Sequence, residues 1–349
     1  MPDFDHEIID PHIHLFDVHG TPRPTQQFVR LFGWNERLLR AMLKRMFPKP
    51  TVSFFGERTS LVNDYLTSEY RADSVTSEVG RYVHVQAGWK DKTPMDAVGE
   101  TEWLESLADP PAAIVAHADL QQGSDIAPVL AAHTRASGRT RGIRHMLAHH
   151  RADGVMDFAE EAEMSRTAAF RTGFDLLAEH ELSFDAWCYH GQLDQVAELA
   201  AHNPAVPIVL CHVGTPVGFG GAFQGIGVSD QERARIADEW LDGLQRVAEH
   251  PNVSCKISGL LMPALGFGYE QSERRPTTSE LVDRLGPLVR PTIEVFGAER
   301  CMVASNFPVD RVSADYNVVF QAMLELTNQD GPDAQAAMFG GTAARVYRI

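Results

Sequence analysis

The 349 residues include 31 Lys and Arg against 47 Asp and Glu, a formal net charge of −16 with a pI near 5.3. So acidic a surface argues against nucleic acid or an anionic membrane as partner, and no apolar run approaches the roughly 20 residues that cross a bilayer. With 44% hydrophobic and 22% charged residues, the composition is that of a globular protein with a sizeable core.

The acidic opening, Met-Pro-Asp-Phe-Asp-His-Glu, lacks a signal peptide's apolar stretch. Four scattered cysteines (Cys188, Cys211, Cys255, Cys301) form no C-x-x-C pair, so reduced thiols and a cytoplasmic location are expected.

The first strand is Ile8 to Leu15, containing Asp10-Pro11-His12-Ile13-His14. Side chains at i and i+2 of a strand share a face, so His12 and His14 project together. Two imidazoles so placed suit one metal ion or one substrate group. Phe16 to Gly80 shows no clear strand, but carries helical patterns at Glu36 to Arg45 and Leu61 to Val79. An excursion this long is more than a connection, and is expected to lie over the site.

Apolar, strand-like runs follow at Arg81 to Trp89, Ala113 to Leu120, Thr140 to Met146, Leu182 to His190, Pro207 to Gly214, Val253 to Leu260 and Arg300 to Pro308. Helical patterns separate them at Thr101 to Ala108, Ile126 to Ala136, Glu160 to Glu181, Leu193 to His202, Asp230 to His250 and Ser279 to Phe296. Two more close the chain. Eight strands alternating with helices predict a parallel sheet closed into a distorted (β/α)8 barrel, with a long insertion after strand one. No composition break divides the chain, so residues 1–349 read as one domain. No glycine-rich nucleotide loop follows a strand.

In such a barrel the chemistry gathers at the C-terminal strand ends. The residues there are His12 and His14, Gln86 and Trp89, His117 and Asp119, Arg144 and His145, Tyr189 and His190, His212, and Asn306 with Asp310 shortly after. Five of eight strands ending in histidine is hard to ascribe to chance.

The segments Asp10-Pro11-His12-Ile13-His14, Arg141-Gly142-Ile143-Arg144, Trp187 to Leu193, Leu210 to Gly214 and Ala304 to Asp310 together resemble the amidohydrolase superfamily, in its amidohydrolase-related branch of lactonase-like hydrolases. The resemblance implies a distorted TIM barrel. It also implies a divalent metal, zinc foremost, on His12, His14, His190 and His212, and a carboxylate ending strand eight. There the family's Ser-Asp-Trp-Pro is replaced by Ser305-Asn306-Phe307-Pro308. Asparagine cannot take a proton and is a neutral, weaker ligand, so metal binding is expected to be weak or absent unless Asp310 supplies the charge.

The expected reaction is hydrolysis of a lactone or similar ester of a small organic or sugar acid, metal-dependent or metal-optional. Water is polarised at His12 and His14, and His190 or His212 meets the developing oxyanion. Asp310 is the candidate base. Arg144 binds a substrate carboxylate or hydroxyl, and Trp187, Tyr189, Gln86 and Asn306 complete the pocket. The alternatives are a metal-dependent decarboxylase of an unsaturated or aromatic acid, and a non-enzymatic barrel that retains a ligand pocket. The partner is a small molecule; a homo-oligomer is compatible with the sequence and not specified by it.

Overall fold

In a computed structural model, described here for residues 6–55 and 63–349, eight parallel strands follow one another in sequence order around a barrel. They are β1 (Ile8–Ile13), β2 (Val79–Val85), β3 (Ala113–His117), β4 (Thr140–Arg144), β5 (Ser183–Ala186), β6 (Ile208–Leu210), β7 (Val253–Ile257) and β8 (Cys301–Val303). β-Branched and aliphatic residues dominate them, as suits strands covered on both faces. Ile9, Val83, Val85, Val115, Val209 and Met302 pack together, and Ala343 and Tyr347 of the helix Thr342–Tyr347 join that cluster.

The ring closes between β1 and the residues just past β8. Ile13 bridges Phe307 in parallel, the His14 amide donates to the Phe307 carbonyl at 2.8 Å, and the Asn306 amide donates to the His12 carbonyl at 2.9 Å. A side chain reinforces this seam: Asp10 Oδ1 accepts from the Ser305 amide at 3.0 Å. Asp10 Oδ2 accepts from Tyr316 (2.8 Å) and Tyr70 (3.3 Å), so this carboxylate faces the helical layer. The β1–β2 register shifts between Asp10 and Ile13, resetting the alternation just before the two histidines.

The ladders are shorter than the apolar runs. The runs predict extended chain through His190, Gly214 and Pro308, whereas β5, β6 and β8 stop at Ala186, Leu210 and Val303. Beyond those points the backbone bonds locally. Asp119 caps a turn by accepting from the Gln121 amide, and His212, Val213 and Thr215 take positive φ. His12, His117 and Arg144 stand within the last residues of their strands, whereas His14, Gln86, Tyr189, His190, His212 and Asn306 stand on the irregular chain just beyond theirs.

Within the excursion after β1, the described residues form the helices Gln26–Phe32, Glu36–Met46, Lys49–Phe55 and Thr67–Ser74. Residues 61 and 62, where the second helical pattern was expected to begin, lie outside the described residues. Phe16 and Tyr65 pair in a single antiparallel bridge, the only strand-like feature of the described excursion before β2 begins at Val79. Phe54 packs on Trp187, just past β5 (5.9 Å between ring centroids), and Gln224 reaches Ser53 at 2.9 Å. The helix Lys49–Phe55 thus covers part of the C-terminal end of the barrel.

Candidate active site

Three histidine rings meet where β1 and β6 end. The His12 and His14 ring centroids are 5.0 Å apart, and those of His12 and His212 are 4.5 Å apart. All three are buried, which pushes each well below the ordinary histidine pKa; nearby Arg144 adds to the effect at all three, and Lys256 at His12 and His212. They are neutral imidazoles at neutral pH.

Their partners define what each nitrogen can do. His14 Nδ1 lies 2.7 Å from the Val85 carbonyl. A carbonyl only accepts, so Nδ1 carries the proton and Nε2 keeps its lone pair. His212 Nδ1 pairs with Ser258 Oγ at 2.9 Å. The ring sits against Gly259, where a Cβ would come within 2.5 Å of His212 Nδ1, at a φ of +63°. Glycine is what allows the loop after β7 to pass so close.

Arg144, at the end of β4, is buried beside this group. Its NH2 donates to the Gln86 carbonyl at 2.7 Å, and its NH1 lies 3.5 Å from His12 Nε2. Its Nε is buried with no partner, a donor still to be satisfied. Gln86 therefore contributes its backbone to Arg144, while its side-chain oxygen accepts from the Gly88 amide.

The other expected residues have different surroundings. His190 is hydrogen-bonded to the backbone of Thr215; its Nδ1 is buried without a partner, and burial pulls its pKa down to about 4. Trp187 donates to Thr215 Oγ1 at 3.0 Å and lies edge-on to His212, 6.0 Å between centroids. The Tyr189 hydroxyl donates to the Met156 carbonyl at 2.6 Å. Asn306 has positive φ (58°) and donates from Nδ2 to Asp310 Oδ1 at 2.8 Å, while its Oδ1 is buried and unpartnered. Asp310 Oδ2 accepts from the Leu261 amide, and burial raises its pKa to about 7.

The sequence reading passed over a second buried set. Lys256 of β7 and Asp185 of β5 form an ion pair at 2.6 Å with both side chains fully buried. Tyr347 donates to Asp185 at 3.0 Å, and Cys211 Sγ lies 3.7 Å from Asp185 Oδ2. Lys256 Nζ also lies 3.4 Å from His12 Nδ1. A lysine inside Val-Ser-Cys-Lys-Ile and an aspartate inside Ser-Phe-Asp-Ala were the available signals. Charges in buried strands require partners.

His12, Asp185 and Cys211 hold possible ligand atoms within 4.8 Å of one another, a possible metal site. As arranged, the set suits a divalent ion poorly. The ammonium of Lys256 and the guanidinium of Arg144 approach both ring nitrogens of His12, and Asp185 already pairs with Lys256. The chemistry available without an ion is that of a neutral base, His14, beside a cationic hydrogen-bond donor, Arg144.

Residues 9–349 match a family model described as amidohydrolase. An uncharacterized protein of Sinorhizobium fredii is 32% identical over 98% of both chains. An L-fucono-1,5-lactonase of Burkholderia ambifaria is 30% identical over 68% of this chain and 71% of its own. Among solved structures, an amidohydrolase from Burkholderia multivorans with bound zinc superposes with a TM-score of 0.70, covering 98% of this chain and 99% of that one at 22% identity.

Proposed function

On the premise that the chain belongs to the amidohydrolase family, we propose that it opens a sugar lactone by hydrolysis, with L-fucono-1,5-lactone as the first candidate. The observation that carries this reading is the pairing of a neutral His14, its lone pair left on Nε2, with a buried Arg144 whose Nε has no partner. The substrate class rests on the relative named L-fucono-1,5-lactonase.

His14 Nε2 takes a proton from water as the water attacks the lactone carbonyl. Arg144 donates to the oxygen on which charge develops; in a water-poor site such a donor is worth far more than in solution. The imidazolium so formed at His14 returns that proton from Nε2 to the departing ring oxygen as the C–O bond breaks, and His212 packs beside it as a neutral ring. Asn306 offers its free Oδ1 to a sugar hydroxyl, a group that must donate. Asp310 acts by fixing the Asn306 amide rather than as the base, because both its oxygens already accept hydrogen bonds. Trp187 and Tyr189 supply wall, and His190 a further ring beside them. No step in this scheme depends on a divalent ion. We place the enzyme in the cytoplasm, consistent with four buried free cysteines and the absence, among the described residues, of any helix long and apolar enough to cross a membrane.

The test is a panel of five- and six-membered sugar lactones followed by acid release, with aromatic acids followed by carbon dioxide release. Lactone turnover that disappears in His14→Ala supports the reading. Carbon dioxide release without lactone turnover favours the decarboxylase. Tight binding with neither overturns an enzymatic role.

A further inference from the structure

The ion pair inside the barrel lies next to the very atoms that would hold a metal. Asp185, His12 and Cys211 supply a carboxylate, an imidazole and a sulfur within 4.8 Å of one another. Lys256 Nζ addresses two of the three, at 2.6 Å from Asp185 Oδ2 and 3.4 Å from His12 Nδ1. Lys256, Asp185 and His12 are fully buried, so neither charge can turn to water. The Tyr347 hydroxyl lies 3.0 Å from both Asp185 oxygens and helps hold the carboxylate in place.

We propose that Lys256 is a built-in cation that takes the place of a divalent ion at this centre and sets the tautomer of His12. Asp185 balances one positive charge, and Arg144 adds a second close by. A divalent ion would bring the cluster from one net positive charge to three, in a medium that screens poorly. Both cations against the ring have only protons to offer, and a neutral imidazole has one lone pair; we assign it to Nδ1, which faces the shorter contact, Lys256 at 3.4 Å against Arg144 at 3.5 Å on Nε2. The neutral ring must then carry its proton on Nε2. That N–H points toward Arg144 NH1, 3.5 Å away. Two donors side by side repel unless an acceptor lies between them, and a substrate carbonyl oxygen is such an acceptor. Lys256 is thus a positioning residue: it makes His12 a donor where His14 is an acceptor.

Zinc content and the His12 tautomer are both read without turnover, so the outcome is independent of the lactone assignment. The protein is loaded with zinc, dialysed, and its metal content measured. The natural chain should retain no stoichiometric zinc. Lys256→Met, checked for folding by circular dichroism, should retain one equivalent, with affinity raised by at least about 100-fold, and Asp185→Asn in that background should abolish the gain. Stoichiometric zinc in the natural chain, or no gain in folded Lys256→Met, overturns the proposal. If Lys256→Met does not fold, the second measurement decides: 15N chemical shifts of His12 in the natural protein should report a protonated Nε2, and a protonated Nδ1 overturns the proposal.

Discussion

Beside β3 and β4, His133, His117 and His145 are held by fixed local partners. His133 bonds the Thr101 hydroxyl at 2.8 Å and the His117 carbonyl at 3.0 Å; His145 Nδ1 accepts from the Leu120 amide at 3.2 Å; His117 Nδ1 lies 3.3 Å from the Arg144 carbonyl. At β1 and β6, His14 uses one nitrogen on a carbonyl and leaves the other with its lone pair, beside an arginine with an unmet donor. Burial pushes His133 and His145 below the ordinary histidine pKa, as it does His14. The difference is that His133, with a partner on each ring nitrogen, is a rivet, whereas His14, with one, is poised for a ligand. Burial and a depressed pKa do not separate structural from chemical histidines; the partner of the second nitrogen does.

The comparison is tested most severely at His14. His14→Ala should lower kcat/KM on a lactone by about 10³-fold or more while the melting temperature changes little; a loss of folding instead would make His14 another rivet. At Arg144, the conservative change Arg144→Lys should cost about 10²-fold, since a single ammonium cannot hold the Gln86 carbonyl and still offer the fork to substrate. Lysine working as well as arginine would remove Arg144 from the oxyanion role. The opposite pattern is expected for His133→Ala: stability falls by about 2 to 3 kcal/mol in chemical denaturation, and kcat/KM of the folded fraction stays within a few-fold.

Acid should act on both groups through stability. Their folded pKa values lie below the unfolded value of 6.5, at about 4 for His133 and His145 and well below 6.5 for His12, His14 and His212. Between those limits the unfolded chain binds more protons, so stability is full above pH 6.5 and declines as pH falls toward 4, by roughly 1.4 kcal/mol per pH unit for each such histidine. Asp310, raised from 3.8 to about 7, acts in reverse, its contribution fading as pH rises through that window. Denaturation midpoints measured from pH 7 to 5 should therefore fall, and His133→Ala should flatten the slope. A slope that steepens with pH in the other direction would show that these rings are charged in the folded protein.

The strand order, the barrel and the pairing of His12 with His14 were legible because period-two projection and apolar runs depend on local sequence. His212 joining them was legible as a strand-end residue, though its left-handed backbone and dependence on Gly259 were not. The strand ends were overextended, since an apolar residue reads the same whether its amide joins a ladder or a loop. Lys256, Asp185 and Tyr347 escaped notice because their partnership spans β5, β7 and the last helix. Each looks like an isolated polar residue until the barrel brings them face to face. Asn306 was read as a weak ligand and a pocket residue; the structure adds its bond to Asp310, so that Asn306→Asp would set two buried carboxylates against one another at 2.8 Å.

The seam between β1 and the residues after β8 has a consequence for how the site breathes. It runs through the same residues that would grip a ligand, and its bonds are the amides of His14, Asn306 and Ser305, the last held by a side chain rather than by a ladder. Deuterium uptake at these three amides reads the frequency with which the ring unzips. A ligand spanning His14 and Asn306 would staple the gap and slow exchange at all three together, whereas one resting on Arg144 alone would leave the hem loose.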